Sequence, residues 1–173
     1  MKILSKLLLF VVILSSCEDT AQRSDLKLWY DEPAAKWVEA ETMAWSEGVK
    51  VQFETEWEGD FDWARGKKIA DRRYATFINN GDFIKVQGVD FGPGANQIEV
   101  SASPVYGGVI EVRIDSVDGE VIATVDINLA HKSGIWETYE AAVKKVSGVH
   151  DVYFVFKGDK DLFHFDWWQF TRK

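Results

Sequence analysis

The sequence predicts an all-β protein, a β-sandwich or barrel of about eight to ten short strands. Three observations carry this. Apolar and polar residues alternate with a period of two in one segment after another. Turn signals rich in Gly, Asn and Asp separate those segments. No segment of helical length shows a 3.6-residue apolar stripe.

Taken in order, the first strand signal is Val38, Ala40 and Thr42, alternating with Glu39 and Glu41. Val49, Val51 and Phe53 alternate with Lys50, Gln52 and Glu54. A polar and aromatic stretch runs from Glu56 to Arg73. Asn79-Asn80-Gly81-Asp82 is a turn, and Phe83 to Val89 is the strand after it. Gly92-Pro93-Gly94 turns the chain again, before Ile98 and Val100 alternate with Glu99 and Ser101. Ile110, Val112 and Ile114 alternate with Glu111, Arg113 and Asp115, and Asp118-Gly119 marks a hairpin. Further strands are predicted at 120–129, 136–143 and 150–157. In the last of these, apolar residues fall on both parities, so it is expected to be covered on both faces. The closing segment, Leu162 to Phe170, reads as a core strand with one carboxylate, Asp166, in its midst. A carboxylate taken out of water is costly unless it is paired, hydrogen-bonded or bound to a cation. Asp166 is therefore either a surface-facing residue at a strand edge or a cation ligand with partner oxygens elsewhere.

The N-terminus carries a different signal. Lys2 and Lys6 precede an apolar run, Leu7 to Leu14, that is too short to span a bilayer as a permanent helix. Leu14-Ser15-Ser16-Cys17 resembles a bacterial lipobox. The expected organisation is a lipoprotein signal peptide at 1–16, a tether at 17–35 that begins at a lipidated Cys17, and a folded domain at 36–173. Cys17 is the one cysteine, so no disulfide framework forms. Acyl chains tether a protein to a membrane without spanning it, so the expected location is the bacterial cell envelope, lipid-anchored at the outer membrane or cell surface. Acidic residues outnumber basic ones 28 to 20, a net charge of −8, which argues against a nucleic-acid partner. Eight Trp within 14% aromatics exceed what a small core needs, so several are expected on display for binding.

Glu39 and Glu41 lie two apart and so point to one side of their strand. Side-by-side carboxylates repel, which suits either a solvated face or a hard cation such as calcium, bound by six to eight oxygens. Asp166 is the natural third ligand, because first and last strands often adjoin in sandwiches.

Several segments, in one order, resemble carbohydrate-binding modules of family 6: Val38-Glu39-Ala40-Glu41, then Phe77-Ile78-Asn79-Asn80-Gly81-Asp82-Phe83, then Val89-Asp90-Phe91-Gly92. Gly134-Ile135-Trp136, the run Gly148 to Phe156, and Phe165-Asp166-Trp167-Trp168-Gln169-Phe170 complete the set. The segment Asp82 to Val86 is most similar to modules appended to family 43 glycoside hydrolases. The resemblance implies a galactose-binding-like β-sandwich jelly roll with a structural calcium on Glu39, Glu41 and Asp166, plus a backbone carbonyl from 71–74. It implies a sugar site in loops at one end, with Phe77 and Trp136 clamping a ring and His164 bonding its hydroxyls. Gln52 is a further candidate facing the cleft.

Two departures bear on the sugar. Phe77 stands where the family commonly has Tyr, and His164 where it commonly has Asn. Neutral His offers one donor and one acceptor on separate nitrogens, so His164 makes binding weaken at acid pH. Trp57 and Trp63, with Phe61, extend a binding surface or pack a loop on itself; Trp45 and Trp167 are expected in the core. The resulting expectation is non-catalytic binding of a plant or algal cell-wall glycan. A glycoside hydrolase or surface glycan-uptake protein is the expected partner. The alternatives are a structural or protein-interaction subunit of a surface complex with a degenerate sugar site, and a small glycosidase. The last is disfavoured, because the clustered carboxylates serve better as ligands than as a pair flanking one glycosidic bond.

Overall fold

The computed structural model describes residues 38–41, 43–54, 61–62, 67–68, 72–129 and 135–172. The signal peptide, the tether, Cys17, Trp57, Trp63 and Asp71 lie outside the described residues, as does the side chain of Phe61. The strands are β1 (Val38–Glu39), β2 (Trp45–Glu47), β3 (Lys50–Glu54), β4 (Phe61–Asp62), β5 (Lys67–Lys68), β6 (Arg72–Thr76) and β7 (Phe83–Asp90). They continue as β8 (Ala95–Pro104), β9 (Gly108–Ile114), β10 (Val121–Ile127), β11 (Glu137–Val146), β12 (Val149–Lys157) and β13 (Phe163–Thr171).

Two antiparallel sheets build the fold. One runs β11-β8-β13-β6-β3, with β1 also paired to β13; the other runs β10-β9-β12-β7-β2. A small separate pair joins β4 to β5. The expected adjacency of first and last strands holds: β1 pairs with β13 through Val38↔Trp168 and Glu39↔Trp167. β6 and β1 share one edge of β13, β6 at Phe165 and β1 just beyond.

Alternation dictates the core. In β7, Ile84 and Val86 are buried while Phe83, Lys85 and Gln87 are partly exposed. In β12, Val152, Phe154 and Phe156 point inward, and Val155 is buried on the other face at 3% exposure, so coverage on both faces is real but partial. The inner rings form a continuous series. Phe91 meets Phe170 at 4.8 Å, Phe170 meets Trp168 at 5.6 Å, and Trp168 meets Phe154 at 5.2 Å. Phe154 then meets Phe165 at 5.6 Å, Phe165 meets Phe156 at 6.2 Å, and Phe156 meets Phe163 at 5.7 Å. Each such pair adds about 0.5–1.5 kcal/mol beyond the area it buries. β13 supplies four of these rings, and Phe163 delivers the series to the position just before His164.

β13 is not regular. Its register with β8 slips by one between Phe165 and Trp167. Phe163 and Phe165 face the core before the slip, and Trp168 and Phe170 after it. A bulge of this kind reverses the parity of the strand. Asp166 and Trp167 therefore leave the inward alternation together, towards the face that Glu39 and Glu41 share. Trp167, expected in the core, is buried at 4% exposure yet lies outside the core cluster. Trp45, also expected in the core, is 65% exposed. Its short edge strand leaves the ring on the outer face of the second sheet.

Candidate functional site

The first sheet brings chemistry-bearing side chains into one row. Residues directly opposite on antiparallel neighbours point to the same face. Ser103 opposes His164. Phe165 opposes Ala75, which sets His164 against Thr76. Thr76 opposes Lys50. Glu137 opposes Ala102, so Trp136, one residue earlier, aligns with Ser103. The row across β11-β8-β13-β6-β3 thus reads Trp136, Ser103, His164, Thr76, Lys50.

The contacts agree with that register. His164 Nδ1 lies 2.9 Å from Thr76 Oγ1, an almost fully buried hydroxyl. Tyr74, two residues before Thr76 on the same face, touches His164 with ring centroids 4.9 Å apart and Trp136 at 5.3 Å. Trp136 and His164 lie 6.3 Å apart. Ser103, 1% exposed, is the small floor between them. Gln52 opposes Tyr74, and the Tyr74 hydroxyl reaches its Oε1 at 3.5 Å, the outer limit of a hydrogen bond. Trp136, Tyr74 and His164 are each half-buried, neither deep in the core nor fully solvated.

Phe77 follows β6 directly and is 45% exposed. Its φ of 57° places a bulky residue in the left-handed region, which costs about 1–2 kcal/mol. The turn after it holds it there. Asn79 Nδ2 donates to the Phe77 carbonyl at 2.8 Å. Asp82 Oδ2 accepts the Asn79 backbone N–H at 2.8 Å and Asn79 Nδ2 at 3.3 Å. Gly48, at φ 78°, packs so closely on the Asp82 carboxylate that a Cβ there would overlap it. The turn is laced to the segment leading into β13. The Asn80 N–H donates to the Asp159 carbonyl at 2.9 Å, the Asp161 N–H to Asn79 Oδ1 at 3.2 Å, and the Leu162 N–H to the Ile78 carbonyl at 2.9 Å. Phe77 and His164 are thereby positioned by one hydrogen-bonded unit.

Of the residues expected from the sequence, Trp136 and His164 come together, Gln52 lies against Tyr74 beside them, and Phe77 sits at the row's end under Lys50. Tyr74, Thr76 and Lys50 join them as candidates; the inward residue between the first two, Ala75, is small, so almost no period-two signal marks that strand in the sequence.

The three proposed cation ligands fall at the β1–β13 junction. The Ala40 N–H donates to the Asp166 carbonyl at 2.7 Å, so Glu39 and Glu41 flank that contact on the strand's other side. Asp166 is 0% exposed, which overturns its alternative reading as a surface residue. The donor chemistry, three carboxylates, fits a hard cation. Among the described residues, however, no group of three or more His, Cys, Asp or Glu side chains is gathered closely enough to hold a metal.

On the outer face of the second sheet, Trp45, Phe83, Lys85, Val117 and Tyr153 line an open cleft of 580 Å³. Lys85 Nζ pairs with Asp151 Oδ2 at 2.9 Å. The hydrogen bond to Asp151 raises the Lys85 pKa above 10.5, against an opposing effect of burial.

Half-buried flat rings beside the buried hydroxyls of Ser103 and Thr76, at one end of a β-sandwich, suit the class of protein that binds saccharides. Residues 39–172 match the family model for carbohydrate binding module (family 6), and the chain belongs to that family of non-catalytic, glycan-binding modules. It is 38% identical over 139 residues to an arabinoxylan arabinofuranohydrolase from Bacillus subtilis (strain 168), covering 79% of this chain and 25% of that protein. The crystal structure of a glycoside hydrolase family 43 arabinoxylan arabinofuranohydrolase from Bacillus subtilis, in complex with cellotetraose, superposes with a TM-score of 0.71. Identity there is 35%, over 87% of this chain and 28% of that one. A family 6 module from Clostridium cellulolyticum in complex with xylose gives a TM-score of 0.62 at 32% identity, over 78% of this chain and 95% of that one. The chain thus spans about a quarter of the length of the enzymes it matches.

Proposed function

We propose that the module holds a single sugar ring of a xylan-type chain between Phe77 and Trp136, with His164 and Gln52 bonding its hydroxyls. The observation that carries this is the cross-strand row, which gathers Trp136, Tyr74 and His164 around one floor and ends beside Phe77. A pyranose has apolar C–H faces and a polar rim, and flat side chains accept the faces. β11 and β6 are three strand spacings apart, about 14 Å between backbones, and Trp136 leans across that distance to meet Tyr74 of β6 at 5.3 Å, so its ring lies over the row rather than outside it. The preference for xylan rests on the relatives, one acting on arabinoxylan and one bound to xylose. A shallow site of this kind binds weakly, on the order of −4 to −7 kcal/mol, millimolar to about ten micromolar.

Two further elements belong to the proposal. Glu39, Glu41 and Asp166 would hold a structural calcium if their carboxylates drew closer together than they lie in the structure, and the ion would then supply a tie between β1 and β13. Cys17 carries lipid and anchors the module to the bacterial envelope, where it holds a wall polysaccharide near a glycoside hydrolase or a surface glycan-uptake protein.

Affinity electrophoresis through gels containing arabinoxylan tests the clamp. The parent protein is expected to be retarded and Trp136→Ala to run as in plain gel. Equal retardation of the two would refute the clamp.

A further inference from the structure

The Lys50 ammonium lies over the Phe77 ring, 4.8 Å from its centroid. Lys50 closes the cross-strand row at its β3 end, opposite Thr76, which itself touches His164. It sits on a strand with free access to solvent, and Phe77 is 45% exposed. From these contacts we infer that Lys50 makes the site selective for saccharides carrying an anionic substituent, a uronate carboxylate or a sulfate ester, on or next to the ring held at Phe77. This rests on the clamp proposed above and names the ligand class that it takes.

The selectivity comes from an exchange of contacts at Lys50. A cation over an exposed phenyl ring is held by only about 0.5–1 kcal/mol. A sugar that stacks on the ring face Lys50 covers displaces the ammonium from the centre of the ring to its edge. A neutral sugar offers the displaced ammonium nothing in return. An anionic substituent projects from the rim of the stacked sugar, where the ammonium arrives, and replaces the lost contact with a charge-assisted hydrogen bond. Lys suits this better than Arg, because its compact charge rides on a flexible stem.

The surrounding charges oppose an anion, which makes Lys50 the deciding group. The chain carries −8 overall, so an anionic polymer is repelled at long range unless a local cation receives it. Asp82, the acid on the Phe77 turn, has its Oδ2 engaged by Asn79. Asp159 and Asp161 meet the same turn through backbone groups.

Isothermal titration with the mature protein tests this, using a neutral xylo-oligosaccharide, its glucuronic-acid-bearing counterpart of equal length, and a sulfated galacto-oligosaccharide. The uronate is expected to bind about two- to five-fold tighter than the neutral sugar at low salt, the range of an exposed ion pair. The gap is expected to narrow in high salt. In Lys50→Gln the ratio of acidic to neutral affinity is expected to fall to about one, and in Lys50→Arg to persist in part. Tighter binding of the sulfated sugar alone assigns the anion as sulfate; tighter binding of the uronate alone assigns it as carboxylate. Equal affinities for all three in the parent, with Trp136→Ala losing all of them, would overturn the role of Lys50 and leave the clamp standing. No binding of any of them would overturn both.

Discussion

Asp82 is the residue through which the turn holds Phe77, so its removal gives the sharpest test of how the site is built. Asp82 Oδ2 accepts one hydrogen bond at 2.8 Å from the Asn79 backbone and a longer one at 3.3 Å from the Asn79 side chain. Hydrogen bonds to a charged partner contribute about 1.5–3 kcal/mol. With one good bond and one long one, Asp82→Ala is expected to cost about 2 kcal/mol. For a domain of this size that lowers the melting temperature by roughly 6–8 °C, read by circular dichroism at neutral pH. Phe77, released from its strained φ, is expected to relax, so retention on arabinoxylan weakens as well. Asp82→Asn keeps an acceptor and is expected to lose about half as much. A melting temperature for Asp82→Ala within about 1 °C of the parent, with unchanged retention, would show that the turn holds Phe77 by other means.

Two other outcomes follow from the electrostatics. If calcium ties β1 to β13, EDTA lowers the melting temperature and excess calcium restores it, by about 2.7 kcal/mol at a hundred-fold excess over its dissociation constant; a melting curve indifferent to both would remove the metal. Lys85 and Tyr139 both titrate above their ordinary values, Lys85 chiefly through its bond to Asp151 and Tyr139 chiefly through burial. Groups whose folded pKa is raised contribute stability that is intact below the unfolded value and lost as pH climbs through the folded one. The melting temperature is therefore expected to fall above about pH 10, less steeply in Lys85→Met; a rise through that range would contradict both assignments.

Much of this fold was legible because its strands bury one face each. Ile110, Val112 and Ile114, or Ile98 and Val100, announce themselves by alternation, and the observed strands contain them. β6 was not legible. Its inward residue is Ala75, small and flanked by polar neighbours, so burial left almost no period-two signal and Tyr74 and Thr76 went unread as site residues. The bulge in β13 was hidden for a related reason. A one-residue slip is a property of the pairing with β8, and nothing in Phe165-Asp166-Trp167-Trp168 says which residue breaks the alternation. Trp45 shows the converse, a large ring read as core that sits exposed on a short edge strand. The candidate residues Phe77, Trp136 and His164 were legible only through resemblance. The approach of Trp136 to His164 depends on register across β11, β8 and β13, strands far apart in sequence.

The location of the bound sugar is decided most directly by titrating xylo-oligosaccharide into isotope-labelled protein and mapping the amide and side-chain NMR shifts that move. The shifts are expected to cluster at Phe77, Trp136, His164 and Tyr74. Shifts confined to Trp45, Phe83, Lys85 and Tyr153, on the outer face of the other sheet, would contradict the account.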